Sequence, residues 1–555
     1  MSDAPQEWRD GGVPVTHLDR ARTVVAALRD VVDTSARQLA SRTAGRGSVS
    51  VEEMDRHQVV LYDLASAASA VAAAEELLTY GQEGQHEAAV ALAFAADVAA
   101  DLIGRTAGRW EQFGLDAAAL PGPAGDAVAA GRDPDLLSAI ADHVIAKADA
   151  GPRHLSEEHE MVRETFRRFA DERVKPVAED IHRQDRDVPD DIIRGLAELG
   201  TFGLSVPAEY GGMAEGGSGE MLSMVVVTEE LSRASLGAAG SLITRPEIIV
   251  SAILRGGTEE QKRRWLPPIA TGDKLCAVAV TEPDHGSDVA MLTTSATRDG
   301  DQWVIDGVKT WCTFAGKAEY LLLLARTNPD RSKGHRGLSL FVVDKPSFPG
   351  HSFHVEQDGG VLDARAIPTI GYRGMHSFEV SFDGWRVPHD DLIGGDDGEG
   401  RGFYLQMQAF AAGRLQTAAR ANGLMQAALE DAVAYTRQRE VFGATLSDYQ
   451  LTRAKLARMA YQLAACRQLT MRAARLLAKG EGQLEASMVK QLACRVAEWV
   501  TREAQQLHGG MGYAEEFAVS RYFVDARVLS IFEGADEVLA LRVIARTLLS
   551  DALDR

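Results

Sequence analysis

VTEPDHGSD, Val280 to Asp288, and KTWCTFAGKAEY, Lys309 to Tyr320, stand in the one long stretch of this chain that does not read as helix. From Cys276 to about Gly395, short runs such as WVIDG, YLLLLART, LSLFVVD and FEVSFDGWRVP have strand composition, with turn residues between them. Helical patterning flanks this stretch on both sides. Upstream, alanine-rich residues 17–150 place Val24, Leu28, Val31 and Leu39 on one apolar helix face. A loop, AGRGSVSVEE (Ala44 to Glu53), interrupts them, and PGPAGDAVAAGRDPD (Pro121 to Asp135) reads as a boundary or exposed connection. Helix resumes from Leu155 to Pro176. LAELGTFGLSVPAEYGG (Leu196 to Gly212) then breaks into turn, and two more helices precede Gly272. Beyond Gly402 the chain is helical again, interrupted chiefly at Gly480 and Gly509 to Gly512.

The expected fold class is therefore α+β, mainly helical. It divides into residues 1–150, an N-terminal helical extension; 151–275, an α-domain; 276–395, a middle β-domain; and 396–555, a C-terminal helical bundle. A chain of 555 residues is too long for one core, which agrees with such a division.

Composition narrows the function. Eighty acidic residues against 59 basic give a net charge of −21, which disfavours nucleic acid as a general partner. Cys276, Cys312, Cys466 and Cys494 fall in no CxxC or metal-ligand spacing, as in a reducing compartment, and no metal is expected. The start, MSDAPQEWRDGG, is polar, and no stretch approaches the roughly 20 apolar residues of a membrane span. No membrane partner and a cytoplasmic location are the expectations.

Three further segments carry chemistry: RQREVFG (Arg437 to Gly443), QLHGGMGY (Gln506 to Tyr513) and IFEGADEV (Ile531 to Val538). Together with the two β-domain segments they resemble the acyl-CoA dehydrogenase family over the last 400 or so residues. The order of domains is that family's: α-domain, middle β-domain, four-helix bundle. The spacing from Gln506 through Gly509, Gly510, Gly512, Glu516 and Arg521 to Asp525 agrees with the family signature.

The resemblance implies FAD as cofactor and an acyl-CoA as substrate. Glu533 would be the base that removes the α-proton while the β-hydrogen leaves as hydride to the flavin. Val280 and Thr281 would lie along the isoalloxazine, with Trp311 and Thr313 on its other side. A flat ring that gains negative charge on reduction wants an aromatic neighbour and fixed donors. Arg439 and Phe442 match the segment that reaches the FAD diphosphate of a neighbouring subunit, a task suited to the planar guanidinium fork. Gln506, Gly509 and Gly510 match the element that lets backbone approach the adenosine half, where a Cβ would intrude. The implied assembly is a homodimer or homotetramer, and electron-transfer flavoprotein the electron acceptor.

On the substrate side, Ser287, Phe410 and Arg414 match residues that contact acyl-CoA. The chain also departs from the family. His285 and Met291 stand where small residues are usual, Ala411 where an aspartate is, and Ala535 where a threonine is. Some members carry their base just before the arginine of AFAAGRLQTAARANG (Ala409 to Gly423); here that position is Gly413, which cannot act. A thioester α-proton is too weakly acidic for an exposed glutamate. The family answers with two hydrogen bonds to the thioester oxygen, worth about 3 to 4 kcal/mol each. Burial of Glu533 against substrate and flavin is expected to raise its pKa toward operating pH.

The 150-residue extension, the Glu533-type base and the AAGRLQTAARANG helix are most similar to members that oxidise (2S)-methylsuccinyl-CoA to mesaconyl-CoA, in the ethylmalonyl-CoA pathway. A second carboxylate on the substrate calls for a cation. Arg245, in SLITRPEIIV, is the first candidate and His285 the second, with Arg373 and His376 behind them. Other readings are a dehydrogenase or oxidase of another short or branched acyl-CoA, and, from a different class, a flavin-bearing DNA-binding stress protein. The extension itself parallels the last domain: HQVVLYDLA (His57 to Ala65) with YQLTRAKLA (Tyr449 to Ala457), and EGQHEA (Glu83 to Ala88) with EGQLEA (Glu481 to Ala486). It has no counterpart of Glu533, so packing is its expected role: replacing a subunit contact or capping the acyl pocket.

Overall fold

A computed structural model describes residues 16–45, 48–116, 123–215 and 218–554. The polar N-terminal stretch, residues 46–47 of the first loop and residues 121–122 of the expected connection lie outside them.

The extension is built from α1 (His17–Thr43), α2 (Val51–Arg56), α3 (Gln58–Tyr80), α4 (Gln85–Thr106), α5 (Pro123–Gly131) and α6 (Pro134–Lys147). Helix α1 opens on a capping box between Thr16 and Asp19, and its Val24, Leu28, Val31 and Leu39 are all buried. The connection read at Pro121 to Asp135 is in large part α5, with Ala124 and Ala127 buried. Its Pro and Gly punctuate rather than break. Pro123 starts the helix and Gly131 ends it, the two places where these residues suit a helix.

The next unit holds α7 (Glu157–Phe169), α8 (Lys175–Gln184), α9 (Asp190–Glu198), α10 (Ser218–Ala234), α11 (Thr244–Gly256) and α12 (Glu259–Thr271). One expectation fails here. Leu236–Gly256 is 21 residues long with mean hydropathy 1.2, enough by length and composition to cross a membrane. It is 94% buried within the protein and carries Arg245 and Glu247, so its apolar character serves the interior of this fold.

Strands follow: β1 (Cys276–Ala279), β2 (Ser295–Asp299), β3 (Gln302–Thr313), β4 (Tyr320–Arg326), β5 (Leu338–Asp344), β6 (Ser352–Gln357), β7 (Gly360–Ala366) and β8 (Ser377–Pro388). They form one sheet in the order β1-β4-β2-β3-β8-β7-β6, with β5 on the other side of β4. The ladder between β3 and β8 slips between Lys309 and Cys312, a bulge that turns Trp311 out of the sheet at φ 57°.

The last unit begins with α13 (Gly402–Gln438), followed by a two-strand hairpin, β9 (Glu440–Val441) and β10 (Ala444–Thr445). It continues through α14 (Gln450–Leu477), α15 (Gln483–Leu507), α16 (Val519–Leu529), α17 (Asp536–Val538) and α18 (Arg546–Leu553). Helices α13, α14 and α15 pack on one another, and α3 lies across α14 and α15 in the same continuous apolar core. Polar contacts fix the seam. Ser69 Oγ donates to Gln491 Oε1 at 3.0 Å, Arg495 Nη1 donates to Ser66 Oγ at 2.9 Å, and the Tyr62 hydroxyl donates to Asp536. The paralleled segments begin matching helices: Gln58 and Gln450 open α3 and α14, and Gln85 and Gln483 open α4 and α15.

A buried ionic cluster joins extension, α-domain and bundle. Glu229 accepts from Arg153 Nη2 at 3.0 Å and stands 2.7 Å from Arg467 Nη2, while Arg467 Nη1 reaches Asp149 at 3.3 Å. Burial would raise the Glu229 carboxyl, but the two guanidiniums overrule it and hold it low.

Candidate active site

Glu533 lies in the tight loop between α16 and α17. Its φ is 54° and that of Gly534 is 101°, two successive residues in left-handed backbone, the first of them not a glycine. The loop is pinned from α15, where the buried Lys490 ammonium donates to the Gly534 carbonyl at 2.6 Å. From the other side the Tyr62–Asp536 contact brings the extension to within three residues of Glu533.

The Glu533 carboxylate faces α13. Its Oε2 accepts from Arg420 Nη2 at 2.6 Å and from Thr417 Oγ1 at 2.5 Å. Gly413, Thr417 and Arg420 share one helix face at i, i+4 and i+7. A Cβ on Gly413 would sit 3.6 Å from Glu533 Oε2, so the glycine and the carboxylate confront the same small space. On α11, Arg245 Nη2 stands 3.8 Å from Glu533 Oε1, with its guanidinium 6.0 Å from the Tyr372 ring centroid. Phe532 completes the wall, its ring 4.8 Å from the Arg420 guanidinium carbon and edge-on to Tyr372.

The electrostatics differ from expectation. Burial alone would raise the Glu533 carboxyl, but Arg420 and Arg245 outweigh it and hold it below the usual 4.5. The carboxyl that is raised is its neighbour: burial pushes Glu247 up to about 7, and the negative charge of Glu533 adds to the effect. Glu247 accepts from Gln416 Nε2 at 2.7 Å. At or below neutral pH the cluster thus tends to two guanidiniums against one carboxylate, an excess positive charge in a dry site.

The β-domain segments lie at the ends of β1 and β3. Thr310 N donates to the Thr281 carbonyl at 2.9 Å, and the fully buried Lys309 donates to the Val280 carbonyl and to Glu282 Oε1, each at 2.9 Å. Burial opposes the Glu282 charge. Lys309 and the amides of Thr293 and Thr294 overcome it and hold Glu282 at about 2. Thr313 shares a 2.9 Å hydroxyl contact with Ser377, while the Trp311 ring is 54% exposed. The loop Gly371–His376 links this region to Glu533: Phe314 N donates to the carbonyls of Met375 and His376, and Tyr372 N to Asp525 Oδ1 at 2.6 Å.

The RQREVFG and QLHGGMGY segments present themselves outward. Phe442 and Gly443 form the β9–β10 turn, both at positive φ as a two-residue hairpin of this hand requires, and Phe442 is 99% exposed. Arg439 and Gln506 are exposed as well. A Cβ on Gly509 or Gly510 would meet nothing within 4 Å; Gly509 has a φ of 58° to satisfy, but nothing within this chain accounts for Gly510.

On the substrate side, Arg414 Nη1 reaches Ser487 Oγ at 3.4 Å, and its buried Nε has no partner among the described residues. Phe410 packs half-buried on the core beside α11. Ser287 is exposed, and His285 is half-buried in a turn whose backbone bonds both ways with Glu282 at 3.1 Å. Arg245 is the one candidate for a second carboxylate that meets Glu533. Arg373 and His376 are engaged elsewhere: Arg373 donates to the Thr369 and His182 carbonyls, and His376 faces Asp185 and Asp187. Arg420, Thr417, Glu247 and the Lys309–Glu282 pair escaped the sequence reading. Arg420 and Thr417 stand in the quoted AFAAGRLQTAARANG helix, and counting i+4 and i+7 from Gly413 would have found them.

Comparisons with known proteins give the family. The acyl-CoA dehydrogenase N-terminal, middle and C-terminal domain profiles match residues 156–273, 277–385 and 400–549. The chain belongs to the acyl-CoA dehydrogenase family. It is 40% identical to (2S)-methylsuccinyl-CoA dehydrogenase of Cereibacter sphaeroides over 96% of this chain and 98% of that one. The butyryl-CoA dehydrogenase structure from Megasphaera elsdenii covers 71% of this chain and 99% of its own, at 30% identity and TM-score 0.65. A glutaryl-CoA dehydrogenase from Mycobacterium smegmatis, solved in complex with FADH2, covers 71% of this chain and 95% of its own, at 27% identity and TM-score 0.62. As an acyl-CoA dehydrogenase the protein is an FAD-dependent oxidoreductase acting on an acyl-CoA. Its own residues suit that cofactor. The bulged, outward Trp311, the open space over Gly510, and the exposed Arg439 and the Phe442 ring are features that packing within this chain leaves unexplained.

Proposed function

We propose that this acyl-CoA dehydrogenase oxidises a short branched dicarboxylic acyl-CoA, (2S)-methylsuccinyl-CoA, to mesaconyl-CoA, with Glu533 as the base. The observation that carries the dicarboxylate reading is the pair of guanidiniums, Arg420 at 2.6 Å and Arg245 at 3.8 Å, on a single carboxylate. An excess buried cation is costly until an anion pairs it, and a free carboxylate on the acyl group supplies that anion. The 40% identity to a methylsuccinyl-CoA dehydrogenase over almost the whole chain, extension included, supports the same choice.

The substrate carboxylate and Glu533 compete for the same guanidiniums. As the substrate pairs with Arg245, and with Arg420 in part, Glu533 loses the interaction that holds its pKa down. Burial then dominates, and the carboxylate becomes basic enough to take the α-proton. Thr417 and the pinned Gly534 carbonyl keep it aimed. FAD, when bound, supplies the two-electron acceptor for the hydride leaving Cβ. Val280, Thr281, Trp311 and Thr313 would flank its ring. Arg439, Phe442, Gln506, Gly509 and Gly510 would serve the FAD of a second copy, making a homodimer the smallest competent unit, with electron-transfer flavoprotein as acceptor. Ser287, Phe410 and Arg414 would line the CoA path, with His285 at its edge.

The test is anaerobic bleaching of the yellow protein by methylsuccinyl-CoA and by butyryl-CoA, followed by electron-transfer flavoprotein or air. Faster bleaching by methylsuccinyl-CoA, with recovery through the flavoprotein, is expected; equal bleaching removes the dicarboxylate reading. In Arg245→Met the preference for methylsuccinyl-CoA should fall, and an unchanged ratio removes Arg245 from the role.

A further inference from the structure

Away from Glu533, three segments distant in sequence converge at the edge between the α-domain and the β-domain. Asp185, just after α8, His351, just before β6, and His376, one residue before β8, bring three ligand atoms within 4.8 Å of one another. His376 Nε2 is 3.1 Å from His351 Nε2 and 3.2 Å from Asp185 Oδ1, and His351 Nε2 is 3.9 Å from Asp185 Oδ2. His376 is buried and His351 half exposed, so the cluster opens to solvent on one side.

The far side of the His376 ring decides what the near side can do. Nδ1 lies 2.9 Å from Asp187 Oδ1, and Asp187 is itself fixed by Gly350 N at 2.6 Å. A carboxylate on Nδ1 claims the proton there and leaves Nε2 with a lone pair, the arrangement by which metal-ligating histidines are oriented. That lone pair points at His351 Nε2, which also lies 3.1 Å from the Asp185 carbonyl oxygen, and at a carboxylate oxygen. Acceptors so close repel unless a proton, on His351 Nε2 or His376, or a cation lies among them. Two nitrogens each about 2.0–2.1 Å from one tetrahedral ion sit roughly 3.3 Å apart, close to the 3.1 Å found here. Arg373 Nε stands 3.6 Å from Asp185 Oδ1, beyond hydrogen-bond length, and spends its donors on the Thr369 and His182 carbonyls. It lowers the site's negative charge without occupying its lone pairs.

We propose that Asp185, His351 and His376 bind one divalent first-row cation, Zn2+ by the two-imidazole, one-carboxylate donor set, with the fourth position left to water. The ion ties the loop after α8 to the β-domain beside Ser377, whose hydroxyl meets Thr313. Its role is structural, separate from the acyl-CoA chemistry. The rivals are a neutral His351 that donates its Nε2–H toward the Asp185 carbonyl and His376, and a doubly protonated His376 held between Asp185 and Asp187; neither needs a metal.

The test uses tag-free holoenzyme, stripped with a chelator, given Zn2+ and desalted. Metal content and thermal midpoint are then measured for the wild type, His351→Ala and Asp185→Asn. The expected result is about one zinc retained per wild-type chain with a raised midpoint. Both should be lost in His351→Ala, whose flavin content should match the wild type because the side chain is half exposed. No zinc retained by the wild type, or equal retention by His351→Ala, overturns the proposal in favour of a cluster held by imidazole protons alone.

Discussion

Arg420 Nη2 meets Glu533 Oε2 at 2.6 Å, across the small space that Gly413 leaves between α13 and the Glu533 loop. In the proposed mechanism this pair sets the pH range of the base. With the guanidiniums holding its carboxyl below the ordinary glutamate range, Glu533 stays ionised to lower pH than a free glutamate. In Arg420→Met, burial prevails and the folded pKa rises. The acid limb of kcat/KM should therefore move to higher pH. Butyryl-CoA is the substrate to use, because it has no second carboxylate to lose a partner. A limb that stays in place would show that Arg420 does not govern the base.

Glu247 gives a pH effect of opposite sign. Its folded pKa of about 7 lies above the unfolded 4.5, so the native state keeps a proton that the unfolded chain has released. Stability falls as pH rises from about 4.5 to 7, by roughly 3 kcal/mol at most for this one group. Glu247→Gln retains an oxygen for the Gln416 amide and removes the effect. Urea midpoints should show the variant gaining on the wild type at pH 8 relative to pH 5.

The Lys309–Glu282 pair anchors the strand end that carries Val280 and Thr281. Lys309→Met leaves a buried carboxylate without its cation, a loss of about 3 to 5 kcal/mol, and should lower FAD content. Adding Glu282→Gln should recover much of the stability. Because Glu282 is held near 2 against a usual 4.5, the wild type should lose this contribution as pH falls through that interval, while the double variant should not.

Gly510 separates folding from cofactor binding. Its backbone has no positive φ to satisfy, and an added Cβ meets nothing in this chain. Gly510→Ala should melt like the apo wild type yet bind FAD more weakly, read by flavin titration. Unchanged affinity would remove this glycine from the cofactor site.

Tyr62→Phe probes the reach of the extension. Removing the hydroxyl leaves a buried Asp536 oxygen unsatisfied, costing about 1 to 3 kcal/mol of unfolding free energy. A fall in kcat beyond the loss of folded protein would show that the contact also steadies the Glu533 loop.

What the sequence made legible was whatever is local. The strand-rich middle and the Gly509–Gly510 pair are each written in a few adjacent residues, whereas the two-strand hairpin at Phe442 interrupts a stretch whose pattern reads as helix. What it hid was pairing at a distance. Lys309 and Glu282 are 27 residues apart, Arg420 and Glu533 are 113, and Asp185 and His376 are 191. Only the folded chain brings them together. Two local readings differ from the fold: Pro and Gly in residues 121–135 punctuate α5 rather than mark a connection, and Leu236–Gly256 is a long apolar stretch whose Arg245 and Glu247 are buried with partners.

Helix α3 lies on α14 and α15 through Tyr62, Ser66 and Ser69, in the same apolar core as the bundle. Anyone wishing to trim this enzyme to the length of its shorter relatives cannot simply cut before the α-domain. The cut would uncover a greasy flank along two long helices and strand Asp536 beside it. A shortened version needs that flank rewritten with polar side chains, or it will cling to whatever protein is nearby.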